Sequence, residues 1–595
     1  MAPSDLIRVR DTCNVWAIRR GRDAVCIDFG SGAILDRLRE LELDRITDVL
    51  VTHYHRDGVQ GLRRALDAGA RIWVPPMEQD LIAHAGEEWL RRRQANDYVL
   101  LQERFSPLAS IEITGTVDPY RARDYGGVEL VALPTPGHTP GSVSYLGEVD
   151  GRRVAFTGDL LFGPGQVWSL AATQWSYSGT EGQAATLLSL GVLDRRAPER
   201  LLPAHGEPID EPAAAIAATQ ERLAELMELR RVESTPFPYR RWLEAPWEEL
   251  SPHLLRNRTS LATSYALLSD SGAALLLDWG YDLWTGLVHG GERARCVPLL
   301  ESIGSLRRDH GVDRVEVVVT THYHDDHVAG INLLRDVEGT ELWSPENVAP
   351  ILEDPHLYDL PCLWFDAVPV DRVLPFSTPI AWHEYALTVH PLPGHTRYAA
   401  AIEFEADGRR ILATGDQQSH EGDGRSILNY QYRNRFAVDD FVASAELYAR
   451  VRPDLLLTGH WGAHELSGAQ IARLLEDGRR VATLHRALLP HDDVEGFPAR
   501  CTPYRVEADG GRASLGVEVR NPFATAQTAH VSLVLPDGWR SEPATATVEL
   551  EPGGLGRAGF EVHVAGGARV VAVAAELTIG EARFGQQAEA LVTVR

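Results

Sequence analysis

Short apolar runs that end in polar, histidine-bearing turns recur along this chain. Val315-Glu316-Val317-Val318-Val319-Thr320 is β-branched and apolar, which predicts a buried strand. It runs straight into Thr321-His322-Tyr323-His324-Asp325-Asp326-His327. Arg410-Ile411-Leu412-Ala413 predicts a strand ahead of Thr414-Gly415-Asp416, and Leu455-Leu456-Leu457 another ahead of Thr458-Gly459-His460. Stretches rich in Ala, Leu and Glu, 213–231 and 467–489, predict helices. From about Arg500 to Arg595 the helical period disappears. Alternating runs, 513–519 and 529–535, are punctuated by Pro536-Asp537-Gly538 and Pro552-Gly553-Gly554, and predict a β-sandwich.

The first half repeats the pattern of the second. Val25 to Gly30 corresponds to Leu275 to Gly280, each a strand ending in an aspartate, Asp28 or Asp278. Val49-Leu50-Val51-Thr52-His53-Tyr54-His55-Arg56-Asp57-Gly58 corresponds to the run through His327. Pro136-Gly137-His138-Thr139 matches Pro393-Gly394-His395-Thr396, Thr157-Gly158-Asp159 matches Thr414-Gly415-Asp416, and His205 matches His460. His138 to Asp159 and His395 to Asp416 are both steps of 21 residues. Self-similarity on this scale means tandem domains of one fold.

Four metal-capable side chains, His322, His324, Asp326 and His327, fall within six residues. At a strand end, residues two apart share a face, so His322 and His324 can bind one ion together. Asp326 and His327, if a helix starts there, point to a neighbouring position. His395, Asp416 and His460 each follow a strand, where a loop can present them. Thiol-free, histidine-rich ligation suits zinc, with iron or manganese as competitors.

This ordered series resembles the metal motifs of the metallo-β-lactamase superfamily. The resemblance implies an α/β architecture of two tandem αββα folds, with the metals at one edge between two sheets. It implies that His322, His324 and His395 hold one metal. Asp326, His327 and His460 would hold a second, and Asp416 would bridge. A hydroxide shared by the two ions would be the nucleophile, and Asp326 would orient it or take its proton. In the first copy His53, His55 and His138 make a complete histidine set, with Asp57, Asp159 and His205 left for a second ion. Gly58 stands where His327 stands, and Arg56 replaces Asp325. The first domain is therefore expected to be degenerate or mononuclear, holding zero to one zinc, against two in the second domain. Asp28 and Asp278 are expected either to support a histidine from behind or to cap a turn.

The expected domains are 1–235, 236–492 and 493–595. The last resembles the immunoglobulin-like, NEW3-type modules appended to bacterial hydrolases, through Asn521-Pro522-Phe523 and Leu535-Pro536-Asp537-Gly538-Trp539. Candidate pocket residues are Tyr430 and Tyr432, either able to donate to an oxyanion. Trp461 and the 280–284 stretch would wall the second site, and Trp168, Trp175 and Tyr177 are expected either to form a pocket at the first or to pack against the other half.

Composition narrows the partners. The net charge is −26 and all 58 basic residues are arginine, so no lysine Schiff base or P-loop lysine exists. The acidic balance argues against nucleic acid as main partner. The arginines and aromatics of 429–436 suit a small, anionic substrate. Five scattered cysteines fit a reducing, cytoplasmic setting. No run reaches the length of a membrane span. The repeat allows an internal pseudo-dimer, and a homo-oligomer beyond it.

These readings converge on a metallohydrolase. Its second domain would cleave an ester, thioester, lactone, lactam or phosphoester. Two alternatives stand beside it: an iron-dependent oxidoreductase of the same superfamily, and a first domain that only binds a ligand.

Overall fold

The structure is a computed structural model that describes residues 5–86, 107–170, 172–173, 175, 181–229, 244–282, 296–420, 426–431, 434–488, 494, 498–566 and 569–594. The chain forms two compact units. One comprises Met1–Pro246 with Asp282–Ser305, the other Trp247–Tyr281 with Leu306–Arg595. Counts of strands below refer to the described residues.

In the first unit, strands Leu6–Arg10, Asn14–Arg20, Asp23–Ile27, Arg45–Leu50, Arg71–Val74 and Gly115–Thr116 line up in chain order as one sheet. The opening hairpins are antiparallel, and from Asp23–Ile27 onward the pairing is parallel. A second sheet is ordered Arg200–Pro203, Arg152–Gly158, Val143–Val149, Val128–Pro134, Ala122–Tyr125. Ile18, Val25 and Leu50 of one sheet share a core with Leu130, Tyr145 and Phe156 of the other. Helices cover both outer faces. Val59, Leu62 and Ala65 pack on the first sheet, and Leu190, Ile216 and Leu223 on the second. This is the αββα layering that the family resemblance implies.

The second unit repeats it. Strands from Trp247–Ser251 to Arg372–Leu374 make a seven-stranded sheet, and strands from Ile380–Trp382 to Gly462–Glu465 a six-stranded one. Ala273–Leu277 is buried at every residue, as a central strand covered on both faces must be. Leu267, Leu275 and Val317 meet Leu387, Ile402 and Phe404 between the sheets. Helices Asp440–Val451 and Gly468–Leu488 cover the outer face through Tyr448 and Leu474. The predicted helices thus appear as Pro212–Leu229 and Gly468–Leu488.

Parallel pairing brings the ends of Ala273–Leu277 and Arg314–Val319 to one edge of the sheet. There the Asp278 N–H donates to the Val319 carbonyl at 2.9 Å. The chain turns immediately into the short helix Asp325–Val328. A Cβ on Gly280 would lie 1.7 Å from the Asp326 carbonyl oxygen, so only glycine lets these two turns approach.

The C-terminal stretch forms two sheets, one of four and one of five strands. Val517, Phe560 and Val562 of one share a single core with Val531, Val573 and Val592 of the other, the arrangement of a sandwich.

Candidate metal centres

The second unit gathers its candidate ligands in two adjoining groups. One nitrogen or carboxylate oxygen from each of His322, His324, His395 and Asp416 lies within 4.8 Å of the others. The same holds for Asp326, His327 and His460. His322 Nε2 is 3.0 Å from His324 Nδ1, and His395 Nε2 is 3.3 Å from that same atom. Asp416 faces both groups, 3.6 Å from His395, 3.3 Å from His327 and 3.1 Å from His460. His460 Nε2 also approaches Asp326, at 3.2 Å.

The surroundings fix which nitrogen each ring presents. His395 Nδ1–H donates to the Asn429 carbonyl at 3.1 Å, leaving Nε2 for the centre. His460 Nδ1–H donates to the Leu261 carbonyl at 3.2 Å, likewise leaving Nε2. His327 Nδ1–H donates to Asp278 at 2.8 Å, and Asp278 also accepts from the N–H and hydroxyl of Thr321. Asp278 therefore does both expected jobs, capping the turn and orienting a histidine. His327 Nε2 and Asp416 Oδ1 are buried and face each other at 3.3 Å without a well-aligned hydrogen bond. Buried imidazoles and carboxylates that converge on one point without well-aligned hydrogen bonds are costly unless a cation satisfies them, so the donor set fits metal ions.

Electrostatics separate the two groups. Burial pushes His322 well below the ordinary imidazole value, and His324 down to about 3, so both rings are neutral donors. Burial works against charge on His327 and His460 too. Asp416 nevertheless holds both up, helped by Asp278 at His327 and by Asp326 at His460, which reaches about 10.

In the first unit, His53, His55 and His138 likewise converge within 4.8 Å, as do Asp57, Asp159 and His205. His138 Nε2 is 3.4 Å from Asp159, and His53 Nε2 3.7 Å. Burial lowers His53 and takes His138 to about 3. Asp28 caps its turn through Thr52 just as Asp278 does through Thr321, but Gly58 faces it where His327 would. Burial lifts the Asp28 carboxyl to about 7.

The sequence profile of the metallo-beta-lactamase superfamily matches residues 8–205 and 266–460. This chain belongs to the metallo-β-lactamase superfamily. It is a metallohydrolase of that fold, and both matched regions end on the last histidine of their site, His205 and His460. A Mycobacterium bovis protein of uncharacterised function is 32% identical over 160 residues, 25% of this chain and 67% of its own length. A hydroxyacylglutathione hydrolase of Albidiferax ferrireducens is 28% identical over 159 residues, spanning 48% of that enzyme. The probable metallo-hydrolase YybB of Bacillus subtilis is 25% identical over 208 residues, 34% of this chain and 84% of that protein. Among solved structures, the β-lactamase MIM-1 of Novosphingobium pentaromativorans aligns with 18% identity and a TM-score of 0.31, over 41% of this chain and 90% of its own.

Around the superfamily's metal positions, several residues act that the sequence reading passed over. Gln417, next to Asp416, accepts from the His395 N–H at 3.1 Å and donates to the Pro393 carbonyl at 3.1 Å. Asn434 donates to the His395 carbonyl at 2.8 Å, and Asn429 to the Asp416 carbonyl at 2.9 Å. In the first domain, buried Glu78 ties two ligand loops together. It accepts from the Tyr54 N–H at 2.9 Å and the Thr139 hydroxyl at 2.8 Å, with its carboxyl raised to about 7 by burial. Nothing local in the sequence signals Glu78, whereas Gln417 adjoins a ligand.

The candidate pocket residues divide. The Tyr430 ring packs with Phe436, Phe441 and His485, and the residue is 37% exposed. Trp461 follows His460 with its ring edge-on, centroids 5.6 Å apart. Trp175 is buried, and Trp168 is exposed beside the first centre. Tyr432, Tyr177 and Trp284 lie outside the described residues. None of the described helices is long and apolar enough to cross a membrane.

Proposed function

We propose that the second domain hydrolyses a small anionic ester, thioester, lactone, lactam or phosphoester. One observation carries this reading. Seven side chains from four segments converge in two adjoining groups, with Asp416 facing both. Two divalent cations bound there, read as zinc with iron or manganese as competitors, would supply Lewis-acid activation of water and of the scissile bond. His322, His324 and His395 give neutral lone pairs to the first group. His327, Asp326 and His460 form the second, and Asp416 is shared. Asp326, on the first turn of its helix and 3.2 Å from His460, is the group placed to accept a proton from the attacking water. Tyr430, beside Asn429 and partly exposed, is the described candidate to donate to the developing charge. Five free thiols, four of them buried, support a reducing cytoplasmic setting.

The test is a hydrolysis panel on metal-loaded protein. A hydroxyacylglutathione thioester comes first, because that is the substrate class named for a relative. Turnover of any member should vanish in His322→Ala and in Asp326→Asn. Full turnover in both variants would refute the site assignment.

A further inference from the structure

The two halves place their last histidine differently, and this bears on how many ions the first can hold. In the second domain a single atom, His460 Nε2, meets both carboxylates, with Asp326 at 3.2 Å and Asp416 at 3.1 Å. His327 Nε2 approaches the same Asp416 from another side, at 3.3 Å. Donors thus converge on one point, which a cation can fill.

In the first domain the His205 ring bridges the carboxylates instead. Its Nδ1 is 2.8 Å from Asp159 and its Nε2 is 3.3 Å from Asp57. Nε2 also lies 3.2 Å from the Thr12 carbonyl. Both ring nitrogens are engaged, and no one atom is shared between the two acids. The ring is further pinned by Trp168, which stacks on it with centroids 4.0 Å apart and planes 3° from parallel. The remaining ligand of a second ion is missing outright, because Gly58 has no side chain. The histidine group beside it remains intact. His53 Nε2 and Asp159 Oδ2 are buried with no hydrogen-bond partner. A cleft of about 310 Å³, lined by His55, His138, Arg56 and Trp168, opens onto that group.

We infer that the first domain is a single-ion centre. One zinc-class divalent cation sits on His53, His55 and His138 beside Asp159, and the His205 ring, spread between Asp57 and Asp159, leaves a second ion short of donors without a histidine at position 58. The gap at Gly58 is also a latent ligand position. A Cβ there would sit in ordinary contact with the Asp28 carboxyl, 3.8 Å away, in an unstrained helical backbone. Asp28 stands ready to orient a histidine at that position as Asp278 orients His327.

The inference concerns residues other than those of the proposed hydrolytic site, and one experiment separates the two. The full chain, stripped of metal and reloaded with zinc(II), is crystallised and its anomalous scattering measured at the zinc edge. One peak in the first domain, among His53, His55 and His138, is expected, with two in the second. Two first-domain peaks, or none, would overturn the inference, whereas missing second-domain peaks would count against the hydrolytic reading alone. Solution counting by elemental analysis gives a second arm, with folding checked by circular dichroism. Gly58→His should gain one ion per chain, and adding Asp57→Asn should remove it. His205→Ala should leave the count unchanged. Loss of an ion in His205→Ala would show that His205 is a ligand and would overturn the single-ion assignment. No gain in folded Gly58→His would overturn the assignment of the gap to that glycine.

Discussion

The two halves share a scaffold down to the turn that starts the site, yet one residue divides them. Asp278 and Asp28 sit at equivalent strand ends with left-handed backbone, φ 54° and 55°, and each accepts from a threonine N–H and hydroxyl. Asp278 has a further partner, His327 at 2.8 Å. Asp28 has Gly58, and its carboxyl rises to about 7 through burial. Where the imidazole is absent, a candidate ligand is absent and the carboxylate that would hold it is left without that partner. The comparison teaches that a metal position is a chain of dependencies, in which the ligand and the group behind it stand or fall together.

The sharpest way to break the comparison is to make the second half copy the first. His327→Gly should remove one ion per chain and reduce turnover to the level of metal-stripped protein, read by elemental analysis and by the hydrolysis assay. An unchanged ion count would mean that His327 is not a ligand. Next in size is the supporting aspartate. Asp278→Asn should weaken metal binding or activity by about 10–100-fold. Asp28→Asn, with no histidine to orient, should leave first-domain zinc affinity within about twofold, since it lacks that second-sphere coupling. Equal losses in a zinc titration of the two variants would erase the distinction. Gln417→Leu should cost about tenfold in turnover, at the lower end of the second-sphere range, because it frees the His395 loop without removing a ligand. The first copy has Leu160 at this position and holds its loop in other ways, with Ser189 donating to the Pro136 carbonyl.

The smallest effect is on stability. A folded chain with Asp28 near 7 keeps a proton that the unfolded chain releases near pH 4. The contribution of Asp28 to the stability of metal-free protein should therefore fall as pH rises from about 4 to about 7, against the opposite contribution of buried histidines such as His324 and His138, which are held near 3. Glu78, also raised to about 7, acts with the same sign. Thermal melts across this range should show the difference in stability between parent chain and Asp28→Asn shift against the parent as pH rises. An identical slope would place the Asp28 proton elsewhere.

Much of this was legible in the sequence because the candidate ligands are local. His322, His324, Asp326 and His327 are fixed by one strand end and one helix start, and that geometry follows from spacing alone. The repeat made the tandem domains legible, the resemblance of their metal motifs implied the αββα layering, and alternating runs with turn residues announced the sandwich. Other features depend on tertiary placement. Whether His205 presents one nitrogen to both acids or spreads two between them depends on Thr12, 193 residues away in the chain. The stacking of Trp168 on His205 and the tie made by Glu78 join segments whose spacing carries no period. The aromatic and arginine-rich loop drew attention to Tyr430 and Tyr432. Among the described residues of that loop, Asn429 and Asn434 hold the backbones of Asp416 and His395.

The central claim is that hydrolysis belongs to the second domain and not to the first. The most direct test is turnover of one substrate by two full-length variants that each disable one centre, His322→Ala with Asp416→Asn, and His53→Ala with His138→Ala. The account predicts background activity in the first variant and near-parental activity in the second. Retained turnover in the first variant, or its loss only in the second, would contradict it.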